Sequence, residues 1–213
     1  ARGLVLSLWL GALAALVLVC LNTTAPFQNL RYLVPTWLCL LCAALLGLGA
    51  LAQRRAPRWA PALSLALAAC LVWMGSATLG RQTEHFARSA KNIREQQIAV
   101  GERLAGTGKR LFVGDAGAIA YYADLPTIDG LGLGGYRDLP FARASVHGWP
   151  SVIELIERLP PDERPDTLAI YDAWWPGLSA LFGSPCFSVA IDDNVICGDA
   201  TKSVYRASWD TRQ

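Results

Sequence analysis

The sequence predicts three membrane-spanning α-helices followed by a soluble α/β domain with a mixed sheet. Three observations carry that prediction. The stretches Leu4 to Leu21, Leu33 to Ala52 and Trp59 to Leu79 hold no charged side chain, and a bilayer core about 30 Å thick needs roughly 20 helical residues to cross it. Beyond Gly80 the composition turns rich in Asp, Glu, Arg, Pro and Gly. There, short apolar runs of strand length alternate with helical patterns, as in α/β layer structures. The expected division is a transmembrane region over residues 1–80 and an α/β domain over residues 81–213, long enough for a core of its own.

Orientation follows from the arginines in the short loops. The loop Gln53-Arg54-Arg55-Ala56-Pro57-Arg58 carries three Arg, whereas the loop before span two carries only Arg31. The positive-inside rule then puts residues 53–58 and the N-terminal end in the cytoplasm. The domain after Gly80 falls on the outer, periplasmic side. The sequence opens Ala-Arg-Gly and passes straight into an apolar run. It reads as the C-terminal portion of a longer polytopic protein, because a signal peptide would end after one short apolar core.

In the outer part, residues 82–105 are expected to form a leading amphipathic helix. Phe86, Ala90, Ile93, Gln97, Val100 and Leu104 fall on its inward face, and Gly106-Thr107-Gly108 stops it. Residues 110–115 form a first strand ending in Gly114-Asp115, and residues 116–122 a short helix or turn. Residues 126–129 form a second strand ending in Asp129, and residues 130–138 a glycine-rich loop. A helix starts at Trp149 or Pro150 and runs through Leu159. A loop of prolines and charges leads to a third strand, Thr167 to Tyr171, and then a helix from Pro176 to Phe182 with Gly183 as its stop. A strand-turn-strand over Phe187 to Ile196 and a last strand, Ser203 to Ala207, complete a sheet that is partly parallel with an antiparallel edge.

The net charge of +2 is too small for a nucleic-acid partner, and the two His have no neighbours at metal-ligand spacing. No metal and no catalytic residue are expected in this chain. Gly130-Leu131-Gly132-Leu133-Gly134-Gly135 fits G-x-G-x-x-G, but Tyr-Arg-Asp-Leu-Pro follows, which is poor sequence for opening a helix on a pyrophosphate. It reads as a tight loop. Asp115 and Asp129 each end a strand. The carboxyl edge of an α/β sheet is where ligands bind, and Asp side chains also cap turns there. Tyr121 and Tyr122 are further binding candidates through their ring faces, with core packing or membrane-interface anchoring as the alternative. Arg31 at the outer mouth of span two reads equally as a phosphate-binding residue or an interfacial anchor. Cys186 and Cys197 flank the expected hairpin, which makes a disulfide candidate in an oxidising compartment. Cys39 and Cys42, spaced C-x-x-C inside an apolar helix, are packing residues.

Arg31-Tyr32-Leu33-Val34-Pro35 leading into a span resembles the late spans of polytopic C-superfamily glycosyltransferases. Val113-Gly114-Asp115-Ala116-Gly117-Ala118-Ile119-Ala120-Tyr121-Tyr122, then Pro126 to Leu133, and the ending Val204 to Trp209 are similar to the periplasmic domain of the arabinofuranosyl- and mannosyltransferase-like members. The resemblance implies a protein of the bacterial inner membrane that moves a sugar from a polyprenyl-phosphate donor to an envelope glycan or lipid acceptor, with the outer domain assisting acceptor binding. The catalytic carboxylate of that superfamily lies in a first outer loop that no residue here matches. No cofactor is implied for this chain, and a divalent cation is left open for the full protein. The alternative is a non-catalytic, membrane-anchored envelope protein whose outer domain binds a glycan or a protein.

Overall fold

A computed structural model describes residues 2–21, 31–55, 57–134 and 136–209, and of Arg2, Arg31 and Ala77 only the backbone. The chain forms two compact units, residues 1–82 and 83–213. In the first, α1 (Arg2–Cys20) and α2 (Val34–Arg55) pack side by side, with a 3-10 turn, Arg31–Leu33, before α2. Small residues permit the close approach: Ala12 and Ala43 are each only 2% exposed. Most of the large side chains of both helices, among them Trp9, Leu13, Trp37 and Leu38, point outward.

α3 (Ala60–Asn92) is one continuous helix, followed by a π-helical turn, Ile93–Ile98, and by α4 (Ala99–Leu104). The expected third span and the start of the expected helix over residues 82–105 are thus continuous. Gly80 alone disfavours helix by only about 1 kcal/mol, and no proline accompanies it. Three helices here are long and apolar enough to cross a membrane. Such exposed apolar surface is unfavourable in water.

The second unit is a five-stranded mixed sheet between helical layers. Its strands are β1 (Leu111–Val113), β2 (Thr127–Asp129), β3 (Thr167–Ile170), β4 (Gly183–Ala190) and β5 (Thr201–Ala207), in the order β2-β1-β3-β5-β4. β1 runs parallel to both β2 and β3, whereas β5 is antiparallel to β3 and β4. The expected parallel part with an antiparallel edge is observed.

Side chains alternate across this sheet with the two-residue period of strands. Leu111, Val113, Ala169 and Val204 face α4 and α5 (Ala118–Ala123), packing on Val100, Leu104, Ile119 and Ala123. Phe112, Leu168 and Ile170 face the opposite layer, α6 (Phe141–Val146), α7 (Trp149–Glu157) and α8 (Leu178–Phe182). α4 lies close on α5 because residue 101 is glycine: a Cβ there would sit 2.8 Å from Tyr122 Cβ.

Three expectations are corrected. α6 was not foreseen; it begins directly after Pro140, and Phe141 anchors it in the core. No strand forms at Val195–Ile196, so the antiparallel hairpin is β4–β5 with a connection over residues 191–200. Phe86, expected inward, is 74% exposed. Cys186 and Cys197 are free thiols. Cys186 sits at an irregularity in the edge strand, between Pro185 and Phe187, and is exposed there. Cys197 lies in the connection, packed with Tyr171 and Ile191.

The glycine loop after β2 is held by the start of α6. Gly132 has φ +75°, and a Cβ there would lie 2.0 Å from the Ala142 backbone nitrogen. Gly106 has φ +71° with open space around it. Gly106→Ala should therefore destabilise by about 1–2 kcal/mol, the left-handed backbone penalty alone. Gly132→Ala adds a backbone collision and should lose clearly more, as compared by denaturant unfolding of the two variants.

Candidate functional site

The carboxyl ends of β1 and β3 meet the amino end of β5, because β5 runs antiparallel with Ile170 opposite Ser203. Three side chains converge at this edge: Asp115, two residues beyond β1; Tyr171, directly after β3; and Lys202, the second residue of β5. Lys202 is fully buried, and its ammonium pairs with Asp115 Oδ1. It also lies over the Tyr171 ring, 3.7 Å from the centroid, a cation–π arrangement.

The π turn closes the site. Its wider winding ends with the Ala99 N–H bonded to the Arg94 carbonyl, five residues back, and two adjacent glutamines are buried. Gln97 Nε2 donates to Asp115 Oδ2 at 2.8 Å. Gln96 Oε1 accepts from the Tyr171 hydroxyl at 2.8 Å, and Gln96 Nε2 donates to the Asp199 and Ala200 carbonyls. Nearby, Asn92 bridges to the same connection: its Nδ2 donates to the Asp193 carbonyl and its Oδ1 accepts from the Val195 N–H. Arg88 adds a bidentate pair with Asp193 at the surface.

Burial sets the electrostatics of this cluster. It pushes the Asp115 carboxyl above its usual value, against the opposing pull of Lys202. It pushes the Lys202 ammonium below its usual value, against the pull of Asp115. The Tyr171 hydroxyl is raised by burial and then by the Asp115 charge, and the Cys197 thiol is raised by burial. Both members of the ion pair are thus shifted toward their neutral forms, so desolvation outweighs their mutual attraction. For Asp115, stability declines as pH rises from the ordinary 3.8 through the raised native value. For Lys202, stability is lower below the depressed native value and recovers as pH climbs toward 10.5.

Asp129 is consumed locally. It is buried, Oδ1 accepts from the Leu131 N–H at 3.0 Å, and Oδ2 accepts from the Gly134 N–H at 2.7 Å. It caps its own turn. Connections leave β1 and β3 toward opposite sides of the sheet, the place where open α/β sheets hold ligands. Here the Trp175 indole fills it: the ring is 3% exposed, edge-on to Phe112 at 5.1 Å, and against the Cα atoms of Gly114 and Gly130. The glycine loop opens no helix, since Gly130 to Gly134 form turns and α6 begins only at Phe141.

Tyr121 and Tyr122 lie on α5, edge-on to each other at 5.3 Å and exposed by 79% and 41%. The Arg31 backbone starts the 3-10 turn, and its side chain lies outside the described residues. Among the described residues no group of three or more His, Cys, Asp or Glu could hold a metal ion.

Residues 91–211 match the sequence pattern of one protein family. The chain belongs to the family Domain of unknown function (DUF8728). No curated protein and no solved structure matches the chain. The DUF8728 segment contains the whole Asp115–Lys202–Tyr171 cluster with both glutamines.

Lys202 was missed by sequence reasoning, since a lysine in a terminal strand reads as solvent-facing. The available signal was its two-residue spacing from Val204, which puts both on one face. Removing a single partner, Asp115→Asn or Lys202→Met, should destabilise the DUF8728 domain by about 3–5 kcal/mol by stranding the other charge. The double variant should recover most of that loss, read as the coupling energy in a double-mutant cycle of denaturant unfolding.

Proposed function

We propose that this chain is the membrane-embedded C-terminal portion of a glycosyltransferase-like protein. On this reading α1, α2 and the apolar part of α3 cross the bacterial inner membrane, with the N-terminal end and the loop at 53–58 in the cytoplasm. The DUF8728 domain stands outside and helps to hold an envelope acceptor, while sugar transfer from a polyprenyl-phosphate donor uses a carboxylate elsewhere. The single observation that carries this is the outward-facing apolar surface of three helices of spanning length.

Two features favour an assisting role for the outer domain over bond chemistry within it. Asp115 and Asp129, the carboxylates at the ends of β1 and β2, are tied up by Lys202 and Gln97 and by the turn N–H groups, and Asp172 beyond β3 accepts from the Ser179 and Tyr205 hydroxyls. Tyr121 and Trp174, in the segments after β1 and β3, are 79% and 42% exposed, and aromatic rings suit stacking on sugar rings. The saturated carboxylates equally favour the second reading, an anchored protein that binds a glycan or protein partner without catalysis.

Cys186 offers a direct test of topology, being exposed on the edge strand. A membrane-impermeant maleimide should label it in intact spheroplasts, and Cys186→Ser should abolish that signal. Labelling only after lysis would put the domain in the cytoplasm. For function, Tyr121→Ala in the full-length protein should raise the acceptor KM about three- to tenfold with kcat unchanged, the value of one aromatic contact. Full-length protein that binds glycan but transfers no sugar supports the anchored binder instead.

A further inference from the structure

We infer that α1 and α2 hold one anionic phospholipid in a groove at the arginine-rich end of the pair. The groove has a volume of about 440 Å³ and is walled by Leu6 and Trp9 of α1 and by Gly47, Ala50 and Leu51 of α2, with Arg54 at its end. That volume falls within the roughly 300–1,000 Å³ of small-molecule sites. Gly47 faces open space, since a Cβ there would meet nothing within 4 Å. The walls suit an acyl chain, and the guanidinium at the end suits a phosphate, which an Arg fork binds well.

Charge selects the occupant. Residues 1–82 contain six Arg and no Asp or Glu, the first acid being Glu84. The unit therefore supplies no carboxylate to Arg54. Arg54 is exposed in the last turn of α2 and is free to pair with a charge from outside that unit, and the bilayer offers one in its anionic headgroups. Basic pockets between helices on the cytoplasmic side hold such lipids, and Arg54 shares its loop with Arg55 and Arg58. A zwitterionic lipid would fill the walls equally well but would neutralise Arg54 less.

This inference rests on the membrane reading above. The test is native mass spectrometry of the full-length protein in detergent, titrated with phosphatidylglycerol or phosphatidylcholine of identical acyl chains. One phosphatidylglycerol per chain should be retained in preference to phosphatidylcholine. Arg54→Gln should cut that retention roughly fivefold, the worth of one basic residue near an anionic surface. Gly47→Leu should abolish it by filling the groove, whereas Gly49→Leu, also in open space, should not. Equal retention of both lipids, or no change in Arg54→Gln, overturns the proposal, as does a cysteine cross-link from position 6 that finds a second protein segment in the groove. Alkaline extraction of membranes separates the two failures. Protein released by the wash refutes the membrane reading itself, and protein that stays but shows no headgroup preference refutes only the groove.

Discussion

A lysine with no solvent exposure governs the carboxyl edge of this sheet. An ammonium taken out of water must be met by a counter-charge and by donors and acceptors placed to serve both partners. Lys202 gets its charge from Asp115 and a π-face from Tyr171. Asp115 has a second oxygen to satisfy, and Gln97 supplies that donor; Tyr171 has a hydroxyl to place, and Gln96 accepts it. Each requirement recruits one more residue, until β1, β3, β5, the π turn and the 191–200 connection are tied at one point. Both shifts carry the sign of desolvation, which the attraction between the partners opposes.

The π turn is the local device that makes this possible. One extra residue in the winding lets adjacent glutamines reach the sheet, a task that regular helical spacing serves less well. Asn92, one residue earlier, uses both ends of its amide on the β4–β5 connection. A connection of this length would otherwise have few fixed contacts. Here it is fastened by side chains of the helix that precedes the whole sheet, a contact between residues about a hundred positions apart.

Closure of that edge decides what chemistry is left to the domain. Trp175 fills the crevice where a doubly wound sheet would take a ligand, Asp129 spends both oxygens on its own turn, and Asp115 is paired. What remains exposed there is aromatic, together with the Asp172 carboxylate, which accepts from the Ser179 and Tyr205 hydroxyls. Such a surface can contact a partner, and Asp172 is its one exposed carboxylate among Asp115, Asp129 and Asp172. The apolar helices present the opposite situation: much exposed surface, all of it oily, interrupted by arginines without acids.

The sequence by itself determined the features that depend on near neighbours in the chain. Runs free of charge set the three long helices, short apolar runs set β1 and β3, and glycine and proline set the turns between them. It also implied a sheet with a parallel part and an antiparallel edge, since helices separate the early strands and only a short connection separates the last two. Only the tertiary structure decided the rest. That Lys202 is buried follows from β5 lying between β3 and β4, a pairing no local pattern encodes. That Asp115 is paired while Asp129 is a cap follows from which strand end Lys202 reaches. The exposed irregularity in β4 left Cys186 apart from Cys197, and α3 runs on through Gly80. Local preferences are worth about 1 kcal/mol or less per residue, so long-range burial overrides them wherever the two conflict.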